Sequence, residues 1–269
     1  MRSQADVGTD ADEAVYLYGF VSDSGAASGL PPALPAVDPE RPLGLYRHAG
    51  LIALVSPVRR TDFDGDDGAA NLADIGWVGP RALRHQAVLD AALAEAAVYP
   101  LPFGTLFSSP AALAAEMELR RDDIGAALAR LAGCAEWAVQ GELDRDAALD
   151  ALVRDAIVAG DWTPPAAPGR RHLEEQRLRR ELDAELDNWA EAAAATLADA
   201  LAAASRGHAQ RRIPAGQTLA FNWAFLVPTD GLDDFHAAID TTGPVLAGHG
   251  LRVVCKGPWP GYSFVAAAS

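Results

Sequence analysis

Lysine is almost missing from this chain. Among 269 residues there is one lysine, Lys256, and there are two cysteines, Cys134 and Cys255. With no Cys-x-x-Cys and no cysteine-rich framework, a disulfide scaffold is excluded, and reduced thiols in a reducing compartment are expected. Schiff-base or phosphate chemistry through lysine could use only Lys256, which stands beside a strand end and reads as a solvated edge. No apolar run reaches membrane-spanning length. The longest alanine-rich segment, AEAAAATLADALAAA, is interrupted by Glu191 and Asp199. The first residues, MRSQADVGTDADEA, lack the basic start and apolar run of a signal peptide. Together these absences predict a soluble cytoplasmic protein with a loose N-terminus over residues 1–13.

The familiar catalytic signatures are absent as well. There is no Gly-x-Ser-x-Gly, no Gly-x-x-x-x-Gly-Lys-Ser/Thr, no Gly-x-Gly-x-x-Gly and no His-Glu-x-x-His. DFDGDD, Asp62 to Asp67, has the alternating carboxylates of a calcium loop, but Ala73 stands where its bidentate glutamate belongs. It reads as a solvated acidic loop. Asp122-Asp123 and Asp233-Asp234 fall at helix starts, where they complement the helix dipole. His85, after Arg81 and Arg84, reads either as a general base or as a satisfied packing histidine. Cys255 inside a strand reads as a small buried residue rather than a reactive thiol. No catalytic residue, cofactor or metal site is expected.

The formal net charge is −15. Such a surface repels nucleic acid and anionic membranes alike, and it favours solubility or a basic partner. Hydrophobic residues make up 50% of the chain, enough to pack a core.

The elements follow from pattern. AVYLYGFV (Ala14 to Val21) reads as a strand, and GLYRHAGLIALVSPV as a hairpin turning at His48-Ala49-Gly50. A helix is expected from Pro80, then PLPFGTLF as a proline-rich interruption. A second helix is capped by Ser109, starts at Pro110 and stops at Gly133. CAEWAVQGEL, QTLAFNWAFLVP and LRVVCKG read as strands, with a further short strand near residues 211–215. DRDAALDALVRDAIVAG and DGLDDFHAAIDTTGPVLAGHG read as helices. Between them, RRHLEEQRLRRELDAELDNWAEAAAATLADALAAASRG reads as one long helix whose first half carries opposite charges at helical spacing.

From Cys134 onward the order resembles the β-α-β-β-α-β ferredoxin-like plan, enlarged by the long helix. In that plan the first and last strands are neighbours, which predicts Cys134 near Cys255. The reading is an α+β chain: an N-terminal mixed α+β domain over 14–132, a modified ferredoxin-like domain with an extended helical insertion over 133–256, and a tail over 257–269.

What remains distinctive is rigid aromatic-proline sequence: PLPFGTLF and the tail GPWPGYSFV. Proline restricts the backbone, and aromatic rings supply large apolar area at low entropic cost. Trp259, Pro260, Tyr262, Phe264, Phe103 and Phe107 are the candidates for partner binding or for sealing the domains.

YLYGFV, GLIALVSPV, the helix around His85, PLPFGTLF, EWAVQGEL, FNWAFLVP and GPWPGYSFV, in this order from Tyr16 to Val265, resemble the gas vesicle protein F/L family. The family's tail usually reads Gly-Pro-Trp-Pro-Pro-Tyr-Ser-Phe, with Gly261 here in place of the second proline. Its arginine before Phe-Gly-Thr is Pro102 here. The resemblance implies a two-domain α+β protein that helps build gas vesicles as an accessory or minor structural component. Its implied partners are the hydrophobic shell protein and other gas vesicle accessory proteins, with no established catalytic residues to carry over. The tail then either seals the domains or offers its aromatics to the shell protein. Two other classes stay open: an enzyme whose active site lies in the interdomain cleft, and a regulatory module unrelated to vesicles.

Overall fold

The computed structural model describes residues 12–22, 34–214, 216 and 219–265. Of the expected loose residues 1–13, residues 1–11 lie outside the described residues, as does part of the loop after Val21, whereas Glu13 starts the first strand by pairing with Arg59. The chain is α+β, with two antiparallel sheets, and divides into two compact units. One comprises Met1–Ala135 with Trp259–Ser269, the other Glu136–Pro258.

The first unit contains β1 (Glu13–Ser22), β2 (Gly44–His48), β3 (Leu51–Arg59), α1 (Gly65–Ala73), α2 (Ile75–Glu95), β4 (Val98–Pro100), β5 (Leu106–Phe107), α3 (Pro110–Leu119) and α4 (Arg121–Leu131). Its sheet runs β2-β3-β1-β4, with β5 also on β1. Strand β1 is buried on both faces from Ala14 to Val21. Pairing with β3 steps from Leu17↔Val55 to Gly19↔Leu54, so Tyr18 is the extra residue of a β-bulge. The bulge changes which side chains share a face. Ala14, Tyr16, Tyr18 and Val21 pack with Val88, Leu89 and Ala92 of α2. Val15, Leu17 and Phe20 pack with Leu113 and Met117 of α3 and Ile124 and Leu128 of α4. Glycine is needed at 19 because a Cβ there would stand 2.6 Å from the Tyr99 carbonyl oxygen.

The second unit holds most of β6 (Cys134–Leu143), then α5 (Arg145–Ala159), α6 (Pro168–Ala203), β7 (Gly207–Gln210), β8 (Leu219–Pro228), α7 (Leu232–Gly248) and β9 (Leu251–Trp259). The sheet order is β7-β8-β6-β9. Val139, Phe221, Phe225 and Val227 of the sheet pack with Leu197 and Leu201 of α6 and Phe235 and Leu246 of α7. Along α6, Arg170–Glu174, Glu175–Arg179 and Arg177–Glu181 pair at four-residue spacing, as its charge pattern predicts. Cys134 lies on β6 and Cys255 on the adjacent β9, and neither is in a disulfide.

Five expectations are corrected. DFDGDDGAAN is not a loop: residues 65–73 form α1, because Asp64 caps the Gly65 N–H at 2.9 Å and Asp66 and Asp67 favour the first turn. Helix α2 starts at Ile75, ahead of Pro80, since Asp74 caps it by accepting from the Gly76 N–H at 2.8 Å. The helix from Pro110 is two helices, broken at Arg120 (φ −104°, ψ 10°), which lets both pack on the sheet. The short strand lies at 207–210 rather than near 211–215, and Ala215 lies outside the described residues. Strand β9 runs on to Trp259, taking in the start of the GPWPGYSFV segment.

Candidate functional site

The tail and PLPFGTLF meet in the first unit around a buried aromatic and polar cluster. Tyr16 comes from β1, His85 from α2 and Phe103 from the turn between β4 and β5. The His85 ring stacks on Tyr18 at 5.5 Å and meets Tyr16 and Phe103 edge-on. Phe63 and Trp77 extend the aromatic shell.

Hydrogen bonds fix the imidazole. Its Nε2 lies 3.2 Å from the Leu101 carbonyl oxygen, which can only accept, so Nε2 carries the proton. Nδ1 therefore accepts from the Tyr16 hydroxyl at 2.8 Å, and that hydroxyl oxygen accepts from the Gly104 N–H at 3.1 Å. Gly104 has φ +85°, a backbone that favours glycine. The tail joins through the Tyr262 hydroxyl, 3.4 Å from His85 Nε2 and donating to Gln86 Oε1 at 3.4 Å. Gln86 in turn donates to Asp90 at 2.7 Å.

Burial pushes the His85 pKa down from 6.5 to about 4, and it pushes the Tyr16 and Tyr18 hydroxyls up. His85 is thus a neutral histidine with both ring nitrogens engaged, not a base poised near neutral pH. Burial also pushes the Cys255 thiol up to about 11, which makes it a poor nucleophile. Among the described residues, no group of three or more His, Cys, Asp or Glu side chains could hold a metal ion. No helix among them is long and apolar enough to cross a membrane.

The pH dependence follows from the sign of the shift. The unfolded chain protonates His85 near 6.5, while the folded chain resists until about 4. Between these values the unfolded state binds more protons, so its share of stability is full above pH 6.5 and lost as pH falls toward 4. The loss expected is about 3 kcal/mol. His85→Gln keeps a donor and an acceptor without a titrating group. Its urea midpoint should fall less between pH 6.5 and 4 than the wild-type midpoint does.

The six aromatic and proline candidates do not form one patch. Tyr262 and Phe103 pack on the α2 side of the sheet, whereas Phe107 packs on the α3–α4 side. Pro260 is buried. The Phe264 carbonyl accepts from Arg130 at 2.8 Å, and Val265 packs on the α3–α4 side, so within four residues the tail reaches both cores of its unit. Trp259 is 38% exposed. Tyr16, Gln86 and Gly104 were not legible as site residues. The one signal was the alternation Tyr-Leu-Tyr, which puts two hydroxyls on a face that buries apolar side chains.

The tail turns at Gly261 (φ −73°, ψ 54°), with the Tyr262 N–H bonded to the Pro260 carbonyl at 2.8 Å. This is an inverse γ-turn, whose φ suits proline. A Cβ at 261 would lie 2.5 Å from Leu131 Cδ2, the end of a flexible side chain. Gly261→Pro should therefore be near neutral, its entropic gain of about 0.4–1 kcal/mol offset by displacing Leu131. In a Leu131→Val background the same proline should raise the thermal midpoint, which a double-mutant cycle of melting curves checks.

The family model for "Gas vesicle synthesis protein GvpL/GvpF" matches residues 14–266. The chain belongs to the GvpL/GvpF family. It is 28% identical over 236 residues to gas vesicle protein L of Streptomyces sp. (strain CB03234), covering 84% of each chain. It is 29% identical over 252 residues to gas vesicle protein F of the same strain, covering 93% of this chain and 98% of that one. The fold is similar to crystal structures of GvpF from Anabaena sp. PCC7120 (TM-score 0.69, 17% identity, 96% and 98% coverage) and Microcystis aeruginosa (TM-score 0.66, 16% identity, 94% and 99% coverage). The role of the chain is therefore related to gas vesicles, and the buried cluster and the GPWPGYSFV segment lie within the matched residues.

Proposed function

We propose that the chain is a non-enzymatic gas vesicle assembly factor or minor structural component that holds the hydrophobic shell protein during vesicle formation. The observation that carries this reading is the family match across residues 14–266, which spans most of both units and the GPWPGYSFV segment. The physics supports it. A shell that excludes water needs very apolar subunits, which aggregate before assembly. A partner with net charge −15 keeps a bound apolar subunit dispersed. On this reading the protein is soluble and cytoplasmic, works at the vesicle and with other vesicle accessory proteins, and needs no cofactor.

We read the two units as an N-terminal α+β domain and an enlarged ferredoxin-like domain. The sheet order β7-β8-β6-β9 and the sequence strand, two helices, two strands, helix, strand support the second assignment. The tail divides its work: Tyr262 and Phe264 anchor it, and Trp259 presents apolar area to the shell protein.

Light scattering of the refolding shell protein, with and without this chain, tests the function. Suppression of scattering is expected, and its absence would overturn the reading. Trp259→Ala should weaken suppression, while Tyr262→Phe, which keeps the buried ring, should not.

A further inference from the structure

We infer that the outer face of α2 is a docking surface for an apolar helix flanked by basic residues. The inference deepens the proposed function and rests on it only for the class of partner. Ile75 and Leu83 are 82% and 74% exposed, eight residues apart on one helix face, with Gly79 midway. A Cβ at Gly79 would meet nothing within 4 Å, so a notch lies between the two side chains, through which another helix can approach closely. Leu72, 46% exposed at the end of α1, precedes the stripe. Large aliphatic side chains at this spacing and exposure form the apolar edge that a helix-in-groove contact uses.

Charge selects the occupant. Asp64, Asp66, Asp67 and Asp74 are exposed at the start of the stripe, and Asp90 and Glu95 are exposed beyond its end. Of the nearby cations, Arg81 lies 4.0 Å over the Trp77 ring and Arg84 donates to the Val37 carbonyl, while Arg59 and Arg60 are exposed beside Asp64, where the four aspartates still leave a net negative charge. A second copy of this chain, docked through the same face in either orientation, would set carboxylates against carboxylates. A helix with basic residues beside its apolar face meets complementary charge at both ends.

The test uses the full chain and labelled amphipathic peptides of about 18 residues, about five helical turns. One has a leucine face and lysine flanks, the other the same pattern with glutamate. Fluorescence anisotropy at physiological salt should show the leucine–lysine peptide binding at least about 10-fold more tightly than the leucine–glutamate peptide. The double variant I75Q/L83Q leaves the charge unchanged and alters only exposed positions, so its thermal midpoint should hold. Its affinity for the leucine–lysine peptide should fall at least about 10-fold. Unchanged affinity would overturn the inference, leaving only non-specific charge attraction. Equal binding of both peptides would overturn it too. So would a wild-type dimer in sedimentation that I75Q/L83Q dissociates. The peptides contain no vesicle protein, so their failure discards this surface and leaves the assembly role to the light-scattering result.

Discussion

Gly250→Ala is expected to destabilise the second unit by about 3 kcal/mol or more. Gly250 has φ +76°, where an alanine costs about 1 kcal/mol. The larger part is steric. A Cβ at 250 would stand 2.6 Å from the Ala148 backbone nitrogen, 2.8 Å from the Asp144 carbonyl oxygen and 3.0 Å from the Ala148 Cα. These are backbone atoms of the first turn of α5, and no rotamer change clears them. The contact also carries structure, because the Gly250 carbonyl accepts from the Asp144 N–H at 2.9 Å, and the Asp144 side chain caps α5 by accepting from Ala147. Moving the start of β9 away from α5 strains the hydrogen bond and the cap together, each worth about 1 kcal/mol. Gly160→Ala is the control. Its φ is +83°, but nothing lies within 4 Å of a Cβ there, so only the conformational cost of about 1 kcal/mol remains. Urea unfolding of both variants measures the difference. Equal losses would show that the close approach at Gly250 relaxes freely.

Arg211→Met should cost about 2–3 kcal/mol, the upper part of the range for taking a hydrogen-bond partner from a buried polar group. Glu136 is fully buried on β6, and its Oε1 accepts from Arg211 Nη2 at 2.8 Å. The arginine's backbone N–H donates to the Asn222 carbonyl at 2.7 Å, and the Asn222 side chain bonds Gln140 and the Arg212 carbonyl. A methionine fills much of the same volume but removes the guanidinium that offsets the desolvated carboxylate. Glu136→Gln lowers the charge that needs offsetting, so E136Q/R211M should be more stable than R211M alone. Strict additivity in the cycle would mean that the two side chains do not act as a pair.

Local chemistry made many boundaries legible. Strand β6 over 134–143, the hairpin at His48-Ala49-Gly50, the cap at Ser109 and the stop at Gly133 depend on turn, cap and period rules that act within a few residues. Alternating charge marked α6 for the same reason. Segment α1 is ambiguous in sequence because its glycines and aspartates favour both a loop and a capped helix, and Asn71 bonded to the Asp62 carbonyl helps decide between them. The split at Arg120 was hidden because neither side of it breaks the helical pattern, and packing of both helices on the sheet imposes it.

The α+β class, most element cores and the ordered motifs that mark the family are legible in the sequence, since these depend on residues close together in the chain. Tertiary structure alone decided the site. Tyr16 and His85 are 69 residues apart, Glu136 and Arg211 are 75 apart, and Tyr262 reaches His85 across 177. The contacts of His85 follow from the bulge at Tyr18, the placing of α2 on one face of the sheet and the return of the tail, and the Glu136–Arg211 pair follows from β6 lying beside β8, to which Arg211 is bonded through Asn222. A hydrogen bond or a desolvated charge depends on separation in space, which local periodicity does not encode.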